Sequence, residues 1–183
     1  MQWLNEPPYW NSKLGTITAS SGLETDFWRE THYGFIRDNG HFYYQAVAGN
    51  FTAQVSFSGD YAEQYDQAGL MLRLDEKNWI KAGIEYVDGH QSLSTVVTRD
   101  YSDWAITPLL SKPAGLTLRL SREGTAVRVE YSSNGVHYEL LRLAYLPAQD
   151  SVQVGLMLCS PKREGFTARF EDFAVGELIA KKD

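Results

Sequence analysis

The hydrophobic positions along this chain recur every second residue rather than every three or four. In "NFTAQVSFSG", Phe51, Ala53, Val55 and Phe57 alternate with Thr52, Gln54 and Ser56, the period of a strand with one buried face. Alternation or short apolar runs return in "AGLMLRLD", "WIKAGIEYV", "SLSTVVTRD", "SVQVGLMLCSP" and "FTARFEDFAVG". Turn signals separate these runs: Asn39-Gly40, Glu76-Lys77-Asn78, Asp88-Gly89, Glu123-Gly124 and Ser133-Asn134-Gly135. This spacing predicts an all-β chain, with Asn-Gly and Asp-Gly as hairpin turns. About a dozen strands in one domain need two packed sheets or a closed barrel. The mixture of alternating and wholly apolar strands predicts a sandwich with a concave outer face. No linker or repeat interrupts residues 1–183, so a single domain is expected, with Pro7-Pro8 in a short lead-in.

The stretch "AEQYDQAGLMLRLDEKNWIKAGIEYVDG" is the most informative. Ala68, Leu70, Leu72 and Leu74 share one side of a strand, and Gln67, Gly69, Met71, Arg73 and Asp75 the other. After the turn, Ile80, Ala82, Ile84 and Tyr86 oppose Trp79, Lys81, Gly83 and Glu85. The two aliphatic faces must coincide, because register follows the buried face. Met71, Arg73, Trp79, Lys81 and Glu85 are thereby placed on one common face. A plain solvated face would pair Arg73 with Glu85 across the strands, for only ~0.2–1 kcal/mol. Trp79 and Met71 beside the charges, with Gly69 and Gly83 opening the middle, point instead to a floor for a small polar ligand. A sugar fits such a floor, since an indole packs on its C–H groups and charged side chains grip its hydroxyls.

Composition narrows the classes. Aromatics make up 13% of the chain, with five Trp and eleven Tyr, which suits pleated, half-buried surfaces. The net charge is −6 and the pI about 5.2, which argues against nucleic acid or an anionic membrane as partner. No like-charge run stands out beyond Lys181-Lys182. Cys159 is the single cysteine, so no internal disulfide forms and a reducing compartment is favoured. The N-terminus lacks the basic and apolar regions of a signal peptide, and no apolar run is long enough to span a membrane. A cytoplasmic location is expected.

Six segments carry a family pattern: "TDFWRETHYGFIRDNGHFYY", "YDQAGLMLRLDEKNWIKAGIEY", "STVVTRDYSDW", "SSNGVHYELLRLAYLP", "VGLMLCSP" and "RFEDFAV". Together they resemble the domain-of-unknown-function 1349 family, which includes a yeast protein named for regulation of enolase, over nearly the whole chain from Trp3 to Val175. The resemblance implies a concanavalin A-like lectin/glucanase jelly roll, a sandwich of two antiparallel sheets. Family motif positions carried onto this sequence are Asp26, Phe27, Trp28, His32 and Tyr33, then Asp66, Gln67, Gly69, Arg73, Trp79, Lys81, Glu85 and Tyr86, then Arg99, Ser102, Asp103 and Trp104. The fold usually holds its ligand on the concave sheet, an analogy that does not fix function.

Catalytic signals are weaker. Glucanases of this fold class place carboxylates at alternate strand positions, ~5–5.5 Å apart in retaining enzymes. "LETDFWRE" offers Glu24, Asp26 and Glu30, with one residue too many and early in the chain. Glu85 with Asp103 is a second candidate acid pair, but Lys81 near Glu85 is expected to keep that carboxylate ionised. No catalytic residue is therefore assigned. The four histidines lack metal-ligand spacing, Cys159 has no CxxC partner, and no phosphate-cradling loop occurs, so neither metal nor cofactor is expected. Cys159 shares a face with Gln153 and Met157 as a small packing side chain.

Three readings follow. The first is a module with a role in carbohydrate metabolism that binds a carbohydrate or small polar metabolite through Arg73, Trp79, Lys81, Glu85, Asp103, Trp104, Trp28 and His32. The second is a glycosidase-like enzyme. The third is a regulatory module that docks a protein partner through an apolar edge or the N-terminal "WLNEPPYW".

Overall fold

The computed structural model describes residues 1–179 and contains strands and turns with no helix among them; Lys181-Lys182 and the last residues of the expected 1–183 domain lie outside the described residues. Sixteen strands follow in chain order. They are β1 (Gln2–Leu4), β2 (Tyr9–Lys13), β3 (Thr16–Ser20), β4 (Phe27–Arg29), β5 (Ile36–Asp38) and β6 (His41–Ala48). Next come β7 (Phe51–Gly59), β8 (Gln67–Arg73), β9 (Asn78–Val87), β10 (His90–Arg99) and β11 (Tyr101–Pro108). The last are β12 (Leu116–Glu123), β13 (Ala126–Ser132), β14 (Glu139–Tyr145), β15 (Ser151–Cys159) and β16 (Thr167–Gly176). One seven-stranded antiparallel sheet runs β1-β6-β15-β8-β9-β10-β11, and a second runs β14-β13-β12-β7-β16-β3-β2. They pack face to face as a jelly-roll sandwich.

The aliphatic positions fill the space between the sheets as their alternation predicts. Leu70, Leu72, Ile80 and Ile84 from the first sheet share a buried core with Val55, Phe57, Leu118, Leu120 and Phe170 from the second. The β8–β9 hairpin has the expected register, with Leu72 opposite Ile80 and Ala68 opposite Ile84. The β9–β10 turn is the tight form that Asp-Gly favours, since Asp88 and Gly89 both take left-handed backbone (φ 51° and 83°).

Two local expectations are corrected. Asn39-Gly40 is not a hairpin turn: β5 pairs with β4, whereas β6 pairs with β1 and β15. Gly40 is there for closeness, because a Cβ would lie 2.4 Å from Phe27 and 2.5 Å from Cys159. The N-terminal segment is also no free appendage. β1 joins the first sheet and β2 the second, and Trp3 and Trp10 pack on one another and on Tyr43.

The outer face of the first sheet decides where a site can be. Residues 21–40, carrying the β4–β5 hairpin, fold back across it. Phe27 and Trp28 from this cover pack on Phe42, Met71, Trp79, Val96, Met157 and Cys159 as a second buried core. Asn39 ties the cover into a loop, accepting from the Asp26 amide (3.0 Å) and donating to the Glu24 carbonyl (3.1 Å). The Thr25 amide donates to the Ser160 carbonyl (3.1 Å) and the Gly22 amide to His41 Nε2 (2.9 Å), fastening the cover to the sheet.

Candidate functional site

The co-facial set that the hairpin predicts does share one face, but that face is not an open floor. Trp79 is 0% exposed, Lys81 4%, Arg73 6% and Glu85 6%. Trp79 meets Phe27 of the cover edge-on, with ring centroids 6.1 Å apart. Its indole N–H donates to the Glu76 carbonyl (3.3 Å). Buried charges require partners, and the cover supplies two of them. Arg73 makes a two-pronged ion pair with Asp38 (2.7 and 2.9 Å). Lys81 Nζ donates to Asp26 Oδ1 (3.0 Å) and to the Phe27 carbonyl (2.7 Å). The Arg73–Glu85 pair that a plain solvated face would carry does not form, because the register puts Arg73 opposite Trp79 and Glu85 opposite Gln67. Gly69 and Gly83 do not open a gap either. They face one another across β8 and β9, and a Cβ on either would come within 2.0 Å of the facing backbone.

The accessible space lies at one margin of the cover. A cleft of about 240 Å³ opens between the β4–β5 hairpin and the sheet, with Trp28, Tyr33, Phe35, Tyr65 and Trp104 among its lining residues. Asp26, Gln67 and Glu85 also line it, as do the charged Glu24, Arg37 and Lys162. A shallower groove adjoins it, sharing Trp28, Tyr33 and Trp104 and adding Thr31, His32, Tyr101, Ser102 and Asp103.

Of the eight residues read from sequence, Trp28, Glu85 and Trp104 line the cleft, while His32 and Asp103 line only the groove. Asp103 stands opposite Val97, whose side chain enters the core between the sheets, and it pairs with Arg142 at 3.5 Å. It is thus on the other face of its strand from Trp104 and cannot form an acid pair with Glu85. Arg73, Trp79 and Lys81 lie beneath the cover and hold it. Asp26 stands where Asp103 was expected, beside Lys81 and lining the cleft with Glu85.

The two carboxylates are held alike. Asp26 Oδ1 accepts from the Phe27 amide (2.8 Å), from Lys81 and, more weakly, from Gln67 Nε2 (3.4 Å). Glu85 Oε2 accepts from Ser94 Oγ (2.6 Å) and from the Trp104 indole N–H (3.0 Å). Burial pushes the Glu85 carboxyl above its ordinary value, and the counteracting pull of Lys81, Ser94 and Trp104 does not cancel it. Lys81 thus lowers this carboxyl as expected, but burial outweighs it. Burial lowers the Lys81 ammonium, but the adjoining Asp26 carboxylate outweighs it and the group is raised. The Tyr33 phenol is pushed up to about 12, chiefly by its hydrogen bond with Tyr65. Cys159 is fully buried, and that burial raises its thiol far from reactivity.

A third carboxylate, Asp66, organises the loop before β8. It accepts from the Ala62 and Glu63 amides (3.0 Å each), from Ser160 Oγ (2.7 Å) and from Arg163 (2.8 Å). The loop carrying Tyr65 is thereby fixed.

Comparison with known proteins agrees with this architecture. The family described as protein of unknown function (DUF1349) matches residues 3–178. Regulation of enolase protein 1 of Saccharomyces cerevisiae is 41% identical over 179 residues, spanning 98% of this chain and 90% of its own length. A crystal structure of a functionally unknown protein from Saccharomyces cerevisiae superimposes with a TM-score of 0.95 at 40% identity, covering 98% of this chain and 97% of that one. The carbohydrate binding module CBM66 from Bacillus subtilis shares the fold at a TM-score of 0.61 and 15% identity, with 94% of each chain covered. Among the described residues no helix is long and apolar enough to cross a membrane.

Proposed function

The chain belongs to the DUF1349 family of proteins of unknown function, and from that premise we propose that it binds a carbohydrate or similarly small, hydroxyl-rich metabolite in the cleft beneath the β4–β5 hairpin. The observation that carries this reading is the cleft itself: an aromatic wall of Trp28, Tyr33, Phe35, Tyr65 and Trp104 around the polar groups Asp26, Gln67 and Glu85. A sugar presents apolar C–H faces and a ring of hydroxyls, which is the complement of that lining. The volume, about 240 Å³, falls just below the ~300–1,000 Å³ of sites for drug-sized ligands and suits one ring. The jelly-roll likeness to a carbohydrate binding module is an analogy of fold that supports the same class of ligand. The net charge of −6 and the single cysteine of the chain support a cytoplasmic metabolite as the ligand.

Arg73, Trp79 and Lys81 act in this proposal through the cover, which they anchor, while Trp28, Glu85, Trp104 and Asp26 contact the ligand. Calorimetric titration with a panel of neutral mono- and disaccharides tests it. Binding by the parent protein that Trp104→Ala weakens at least ~10-fold, about 1.4 kcal/mol, with melting temperature little changed, is the expected result. Equal binding by Trp104→Ala and the parent would remove the cleft from the account.

A further inference from the structure

Both carboxylates in the cleft are fixed through a single oxygen. The protein donates three hydrogen bonds to Asp26, all on Oδ1, and two to Glu85, both on Oε2. Among the described residues no hydrogen bond reaches Asp26 Oδ2 or Glu85 Oε1, although both side chains line the cleft. The two sites differ in charge balance. Asp26 forms an ion pair with the Lys81 ammonium at 3.0 Å. Glu85 receives only neutral donors, from Ser94 and Trp104, in a nearly closed setting.

We infer that the cleft holds an acid–base pair, Glu85 offering a proton from Oε1 and Asp26 an ionised Oδ2, and that it hydrolyses a glycosidic bond of the bound saccharide. The inference rests on the binding reading above and adds a reaction to it. Because Oε2 already accepts two bonds, the proton of a neutral Glu85 belongs on Oε1. The raised Glu85 carboxyl agrees with that assignment. The ionisable groups that bear on Glu85 are Lys81 on its own strand, Asp26 from the cover, Cys159 from β15 and Tyr33 from the hairpin. A carboxyl group met only by neutral donors beside one held in an ion pair is an arrangement that can divide acid and base roles.

In the step proposed, Glu85 gives its proton to the leaving glycosidic oxygen as the C–O bond breaks. Asp26 takes a proton from the water whose oxygen forms the new C–O bond at the same carbon. One water is consumed and two hydroxyl-bearing products leave. Asp26 then returns its proton to Glu85 by exchange with solvent. Lys81 is a positioning residue that holds Asp26 through Oδ1.

The test has two arms on the intact chain. Carbon-13 NMR of carboxyl-labelled protein, with the Glu85 resonance assigned by its loss in Glu85→Gln, should show Glu85 titrating above the ordinary glutamate value. A midpoint at or below that value overturns the inference without reference to any substrate. In the second arm, saccharides bound in the titration above are offered as methyl and p-nitrophenyl glycosides. Glu85→Gln should slow methyl glycosides by at least ~100-fold and p-nitrophenyl glycosides far less, because nitrophenolate leaves without a proton. Asp26→Asn should slow both. Saccharide binding without turnover by the parent sinks the reaction and spares the binding site. Absence of saccharide binding sinks the binding reading itself.

Discussion

Trp79→Ala separates a ligand-binding floor from a second core most sharply. If Trp79 faced open solvent as a sugar platform, truncation would abolish binding and leave stability almost untouched. The structure places it at 0% exposure between Phe27 of the cover and the sheet, with its indole N–H bonded to Glu76. A fully buried tryptophan removes ~150–250 Å² from water, worth about 4–6 kcal/mol at ~25 cal/mol per Å² as an upper bound. Measured large-to-small changes of this kind cost roughly 3–5 kcal/mol. Near 183 residues, each kcal/mol moves the melting temperature by ~2–4 °C, so a fall of roughly 6–20 °C is expected. Differential scanning calorimetry of parent and variant measures it. A fall under about 3 °C would refute the reasoning, since it would mean that the cover does not close over the sheet as described.

Three further predictions follow from separate parts of the structure. Glu85→Gln keeps an acceptor at Oε2 and has no charge to titrate. The folded state raises the parent carboxyl, so the stability that group contributes is complete below the unfolded glutamate value and is lost as pH rises through the raised one. Thermal melts should therefore show the variant gaining on the parent as pH rises; a constant difference across pH 4 to ~9 would contradict this. Asp66 behaves oppositely. Burial raises its carboxyl, but Arg163, the two loop amides and Ser160 outweigh burial and lower it. Its contribution is present above the unfolded aspartate value and is lost as pH falls through the lowered one. Asp66→Asn should flatten the acid limb of the stability profile in urea titrations, and an unchanged limb would count against the assignment. Gly83→Ala should cost at least ~2 kcal/mol by the same measurement, because the added methyl meets the Ala68 carbonyl at 1.9 Å; a neutral variant would show that β8 and β9 approach less closely than this.

The sandwich was legible because one signal, a period of two, recurs through the chain and is enforced by burial. The β8–β9 register followed from it, since a slip of one residue would turn Leu70, Leu72, Ile80 and Ile84 into water. The cover was not legible. Its strands β4 and β5 are three residues each, too short to show a period, and "LETDFWRE" reads as an alternating acidic strand rather than as a flap with Phe27 turned inward. The partners of the buried charges were hidden for a related reason. Arg73 reaches Asp38 across 35 positions and Lys81 reaches Asp26 across 55, whereas strand arithmetic pairs only near neighbours. One clue was present: Met71, Trp79, Met157 and Cys159 share a face with the charges, and four such side chains on one face predict a cover. The cleft itself came out in fragments: Trp28, Glu85 and Trp104, named from sequence as ligand residues, line it together, whereas Asp26 was set aside with Glu24 and Glu30.

The indole N–H resonances of the five tryptophans, followed during saccharide titration, report whether the cleft under the β4–β5 hairpin is the ligand site. Trp28 and Trp104 line the cleft, Trp104 N–H is bonded to Glu85, and Trp3 and Trp10 pack together at the N-terminal strands. A sugar bound in the cleft should shift the Trp28 and Trp104 cross-peaks and leave Trp3 and Trp10 in place. Shifts at Trp3 and Trp10 with Trp28 and Trp104 unmoved would contradict it.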